Sequence, residues 1–392
     1  MSPDSSRIGY RELDVDGLRA EFPILFNTTY LNSCSLGALS QRSEAYLEDF
    51  VRLWHTKGAS AWYEHWLGRI EELRSRAAGF VGAMAEETAL LPTTSVALST
   101  LAQSVGARAK ADGEDRYRVV CTELDFPTLA YQWAVRPEIE LVVLESPDGI
   151  RVDPEQFAEA VDERTLMVAT SHVFYATGYV QDIAALGEIA RTVGAFSLID
   201  GYQGAGQVPL HVHEAGVDAY TWGPLKWLCG GPGLSYLYVR KPWIGKLEPR
   251  LTSWFATRNQ FDFDLHGFTY RADARRFEVG TPALPTIHTA LGGQEILDEV
   301  GLDTVVDRNA MLTERLVEGC RNAGLDLAVP DEAHRSAIVM VRHQDPSGAV
   351  AHLADRGIVV DHRPGFVRLS PHVYTTEDEV DRTVEALAGY GS

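Results

Sequence analysis

Short apolar runs rich in β-branched residues alternate with segments of helical period through the middle of the chain. Residues 118–122, 139–144, 166–170, 195–199 and 235–239 each read as strands, five or six residues long and dominated by Val, Leu, Ile, Met and Tyr. Between them, residues 182–192 put Ile183, Leu186, Ile189 and Ala190 on one helical face. Upstream, residues 66–81 do the same with Leu67, Ile70, Leu73, Ala77 and Phe80. Strand–helix alternation of this kind predicts an α/β fold, a mostly parallel sheet covered by helices. After about Gly267 the texture changes. Helical patterns over 286–300 and 304–323 precede a strand at 336–341, a helix at 348–356, a strand at 367–370 and a last helix from Thr376. This predicts a smaller α+β domain over 267–392 beside a large domain over 36–266.

Composition narrows the function classes. The chain has 392 residues, 45% of them hydrophobic, enough for a sizeable core and two or three domains. A formal charge of −20 disfavours nucleic acid and anionic membranes as partners. Cys34, Cys121, Cys229 and Cys320 are scattered without metal-ligand spacing, which suits reduced thiols in the cytoplasm. Residues 1–6 lack a charged-then-apolar signal pattern, and no apolar run reaches bilayer length. The expectation is a soluble, cytoplasmic protein of enzyme size.

Two charged residues stand out against this background. Lys226 follows the apolar run Tyr220-Thr221-Trp222 and precedes the glycine-rich Cys229-Gly230-Gly231-Pro232-Gly233. Burying an unpaired ammonium is costly, and one resolution is a Schiff base to a cofactor. Asp200 closes Phe196-Ser197-Leu198-Ile199 in the same way. A strand-end carboxylate followed by a strand-end lysine is what pyridoxal 5′-phosphate (PLP) needs: the acid pairs with the pyridine nitrogen and the lysine holds the aldehyde carbon. Taken singly, a snorkelling or salt-bridged lysine is the commoner role, and the aspartate could be an N-cap.

Other candidates fall at strand ends and helix starts, where ligands of α/β sheets bind. Thr94 and Ser95 sit where a helix begins, a position that favours phosphate but also plain capping. Phe126 follows a strand and would stack on a flat ring or fill the core. Ser171 and His172 end another strand, Ser171 as a hydrogen-bonding partner beside the ring, His172 as a substrate contact or a core histidine. Arg368 lies within an apolar strand, where a guanidinium suits a bidentate clamp on a carboxylate.

The order and flanks of these motifs resemble the class V aminotransferase family of fold-type I PLP enzymes, nearest its kynureninase-like and cysteine desulfurase-like branch. Asn32-Ser33-Cys34-Ser35-Leu36-Gly37, Phe126-Pro127-Thr128, Arg276-Phe277-Glu278-Val279-Gly280-Thr281-Pro282 and residues 357–374 each match a motif of that branch. The resemblance covers nearly the whole chain. It implies a mostly parallel seven-stranded sheet and an N-terminal segment, 1–35, packing with the small domain. It implies Lys226 as the Schiff-base lysine, Asp200 as the pyridinium partner and Gln203 as a hydrogen-bond donor to the cofactor's phenolic oxygen. Thr94 and Ser95 would hold phosphate, Phe126 would stack, and Thr281 would complete the phosphate site of a neighbouring subunit in a homodimer. Ser35, His172, Trp254 and Arg368 would face an amino-acid substrate, Arg368 taking its α-carboxylate.

Departures from the branch matter as much. Kynureninases carry Tyr before the lysine, Asp after Phe-Pro-Ser/Thr and His at the position of Gln203; here stand Leu225, Leu129 and Gln203. Desulfurases place His before the lysine and a cysteine ahead of the arginine strand, whereas no cysteine follows Cys320. The resulting expectation is a PLP-dependent lyase or hydrolase acting on the β-side of an amino acid other than kynurenine. The alternatives are an aminotransferase or epimerase on the same framework, or a catalytically silent homologue.

Overall fold

The computed structural model describes residues 13–390; the 1–6 segment read above lies outside them. A seven-stranded sheet has the strand order Thr88–Leu91, Ser235–Val239, Ala219–Trp222, Phe196–Asp200, Thr165–Ser171, Arg118–Thr122, Glu140–Leu144. Only Ser235–Val239 runs against its neighbours. The inner strands are buried on both faces, which is why they read as continuous apolar runs instead of alternating ones. Several helices start where the sequence supplies a side-chain cap. Asp182 accepts from Ala184 N and Ala185 N to open Ile183–Thr192, and Thr376 forms a capping box with Glu379 to open Glu377–Ala388. The helix expected over 66–81 runs from Leu67 to Gly79, and a π-helical turn, Trp62–Trp66, precedes it.

The smaller body holds an antiparallel sheet ordered Asp361–Arg363, Phe366–Leu369, Val339–Arg342. Helices Leu302–Asn322 and Glu377–Ala388 share its core. Thr29–Tyr30 pairs in parallel with Ile358–Val359, and Asn32 bridges to Ser370, so residues 29–32 join this body. Arg19 adds an ion pair to Glu379 at 2.7 Å. Helix Leu284–Val300, by contrast, packs on helices Gln41–Lys57 and Leu67–Gly79 and contributes to the core of the large body. Among the described residues no helix is long and apolar enough to cross a membrane, and no cluster of His, Cys, Asp or Glu could hold a metal.

Parallel pairing aligns the strand ends. Ser171 is the register partner of Asp200, and Asp200 of Thr221, with Lys226 four residues past the end of the next strand. Three side chains far apart in sequence thus meet at one edge.

Candidate active site

A cavity of about 240 Å³ opens at that edge, with Lys226, Asp200, Phe126 and Ser95 in its wall. The turn carrying Lys226 is held by backbone bonds from Gly37 N to Leu225 O at 2.9 Å and from Cys229 N to Lys226 O at 3.1 Å. Gly37 must be glycine, since a Cβ there would lie 2.1 Å from the Lys226 carbonyl oxygen. The Lys226 ammonium has no hydrogen-bond or ion-pair partner among the described residues. Its Nζ lies 5.5 Å from the Tyr202 ring centre and 5.9 Å from that of Phe126. Burial lowers its pKa to about 8; the nearby Cys34 and Asp200 oppose that drop, and Arg368 and Arg363 add to it.

Asp200 is buried, and burial raises its carboxyl to about pKa 6. Tyr202 N, which donates to Oδ1 at 3.0 Å, and Lys226 both act against that rise, while Asp125 adds to it. A buried acid that lacks a full-strength counter-ion fits a protonated pyridine nitrogen.

At the far end of the cavity, helix Thr94–Ala111 begins. Thr93 caps it: its carbonyl accepts from Val96 N and Ala97 N, and its hydroxyl accepts from Val96 N at 3.3 Å. Ser95 is exposed and Thr94 Oγ1 lies 3.2 Å from Ser235 Oγ, so hydroxyls and the first helical amides face the opening together. Phe126 is 44% exposed and meets Tyr175 edge-on at 5.2 Å, which makes it a cavity wall and not a core residue. An apolar wall, a helix N-terminus, a buried acid and an unpartnered lysine match PLP's ring, phosphate, nitrogen and aldehyde in turn.

The remaining predicted residues are placed differently. Ser171 lines the cavity, but its hydroxyl donates to Asp125 Oδ1 at 2.6 Å. Gln203 also lines it, with Nε2 donating to Cys34 O and Oε1 accepting from Trp227 Nε1, both at 2.9 Å. Its contact with a phenolic oxygen is therefore limited to the second amide proton. His172 is not in the wall: it is buried, paired with the Tyr220 hydroxyl at 3.0 Å, and kept neutral by burial, which lowers it to about 4. That is the core-histidine alternative. Trp254 lies in a separate surface cavity over 252–268, and Thr281 is exposed on the same chain's surface, so neither reaches this cavity within one protomer.

Arg368 is buried behind Tyr175, donating from Nη1 to the Tyr175 carbonyl at 3.0 Å and from Nη2 to Ser35 Oγ at 2.6 Å. Its Nη2 also meets Asp361 Oδ2 at 2.8 Å.

Four residues escaped the sequence reading. Asp125 sits beside Phe126, is fully buried, and is satisfied by Thr122, Thr170 and Ser171. Tyr175 and Tyr202 supply aromatic wall next to motifs that were read for other residues. Asp361, seven positions before Arg368, carried no signal of its own.

The family profile described as Aminotransferase class-V matches residues 33–383. An uncharacterized aminotransferase, YcbU, of Bacillus subtilis is 32% identical over 94% of this chain and 96% of its own length. A kynureninase of Geobacillus thermodenitrificans is 29% identical over 94% of this chain and 90% of its own. Among solved structures, the cystine C–S lyase C-DES in complex with cysteine persulfide superposes with a TM-score of 0.85 at 20% identity, covering 95% of this chain and 100% of that one. An apo cysteine desulfurase from Thermococcus onnurineus gives 0.81 at 21%, over 94% and 96%. The likeness to the two structures shows the fold; the profile and the sequence relatives show the family. The chain belongs to the class V aminotransferase family, fold-type I, and its cofactor is pyridoxal 5′-phosphate.

Proposed function

We propose that the protein cleaves a C–S or C–C bond on the β-side of an α-amino acid. The observation carrying the amino-acid part is the nearness of two cations: Lys226, with its lowered pKa of about 8, and Arg368, which adds to that lowering and bonds the carbonyl of the cavity-lining Tyr175. In this reading Arg368 holds the α-carboxylate and Lys226 Nζ takes the α-proton, a base whose pKa is matched to neutral pH. Asp200 keeps a proton on the ring nitrogen. Bound there, PLP supplies the electron sink that stabilises negative charge at Cα. Phe126, Tyr202 and Leu225 exclude water around Nζ, and Thr94 and Ser95 fix the phosphate end.

The β-side part rests on the kynureninase relatives and on the residues that are missing. Leu225 replaces the tyrosine that kynureninases carry, which favours a substrate other than kynurenine. Cys320, the last cysteine, is buried in the core of the small body, so no thiol stands in the desulfurase position just ahead of the Arg368 strand. A second reading, transamination, is favoured by the 32% likeness to a protein named an aminotransferase. We further infer a cytoplasmic homodimer. Phe263, 68% exposed, and Leu265, 92% exposed, flank Trp254 as an apolar surface that a second copy would cover.

The test is a panel of kynurenine, cysteine, cysteine conjugates and their sulfoxides, with product analysis. Release of pyruvate or alanine without a keto-acid acceptor supports β-cleavage. Turnover only with an acceptor establishes transamination instead.

A further inference from the structure

The hairpin of the small body places Asp361 directly across from Arg368, register partners on adjacent antiparallel strands whose side chains share a face. Asp361 Oδ2 takes three donors: Ser35 Oγ, Arg363 Nη1 and Arg368 Nη2, each at 2.8 Å. Its Oδ1 takes His362 N at 2.7 Å. A guanidinium has five N–H donors. Both protons of Arg368 Nη2 are occupied, one by Asp361 and one by Ser35 Oγ, and one proton of Nη1 goes to Tyr175 O. The Nε proton is buried and has no partner among the described residues.

That arrangement is half a fork. A carboxylate bound side-on to arginine takes Nε and Nη2 together, which is stronger and more directional than one contact. Asp361 offers Nη2 a single oxygen and leaves Nε unsatisfied, although an orphaned buried donor is costly. We propose that Asp361 is a resident carboxylate that parks Arg368, and that the substrate's α-carboxylate enters by exchange with it. The incoming group would take both Nε and Nη2. Asp361 would keep Arg363 Nη1 and His362 N, so its charge never becomes unpaired. Ser35, whose hydroxyl donates to Asp361 and accepts from Arg368, is the joint of the exchange. Asp361 is thus a positioning residue that sets how tightly carboxylate-bearing ligands bind. The inference rests on Arg368 as the α-carboxylate partner.

The experiment is a visible-spectrum titration of the PLP-loaded protein with L-alanine and, separately, L-alaninamide, which lacks the carboxylate. In Asp361→Asn, L-alanine should bind about tenfold more tightly while L-alaninamide changes little. Ser35→Ala, which leaves the net charge unchanged, should shift L-alanine the same way by a smaller factor; it also stands in should the first variant fail to fold. L-alanine binding that is unchanged or weaker in both variants overturns the exchange and leaves Asp361 a scaffold for the hairpin. Wild-type protein that binds the two ligands equally removes Arg368 from carboxylate recognition, and the proposal falls with it.

Discussion

Lys226 gives the sharpest quantitative expectation. Burial takes its pKa from the ordinary 10.5 to about 8. At pH 7.5 a lysine of pKa 8 is neutral in about a quarter of molecules, against about one in a thousand for an exposed one, a gain of roughly 200-fold in reactive amine. Stopped-flow absorbance of apoprotein mixed with PLP should therefore show a capture rate that climbs with pH and levels off above about 8. A rate that keeps climbing past pH 10 would show an ordinary exposed amine and refute the burial reasoning. Stability has a matching sign. A lysine whose pKa is lower in the folded state costs stability below about pH 8, and the cost is lost as pH rises toward 10.5. Lys226→Met apoprotein should therefore be more stable than the parent in denaturant titration at pH 7, by no more than about 3 kcal/mol, and the gain should vanish by about pH 10.5.

Asp200→Asn should still capture PLP at Lys226 but turn over substrate about a hundredfold more slowly or worse, read by steady-state kinetics beside the absorbance spectrum. Gly37→Ala should lower Tm and cofactor occupancy together, because a Cβ 2.1 Å from Lys226 O forces the lysine turn to move; overpacking of this kind costs about 1–3 kcal/mol. Arg74→Met should destabilise the fold by about 3–5 kcal/mol in denaturant titration, since it strands the buried Glu278 carboxylate that also holds Leu90 N.

Much of this architecture was legible because buried parallel strands need apolar runs and their ends collect the polar exceptions. Lys226, Asp200 and Arg368 stood out as charges in apolar company, and all three lie at or beside one cavity. The packing of helix Leu284–Val300 on Gln41–Lys57 and Leu67–Gly79 is not legible in its sequence, because amphipathic period shows that a face is buried but not against what. His172 shows the same limit, since a histidine at a strand end reads alike whether it points into the cavity or at Tyr220. Asp361 was illegible for another reason. Its partner is fixed by a hairpin register, and nothing local in Val360-Asp361-His362-Arg363 announces that an arginine lies across the turn.

The central claim is that this cavity holds PLP on Lys226. Borohydride reduction of the PLP-loaded protein, followed by proteolysis and mass spectrometry, tests it most directly. The account predicts a single pyridoxyl label on the peptide containing Lys226, absent from Lys226→Ala. A label at full occupancy on another lysine, or one that survives the Lys226→Ala substitution, would contradict it.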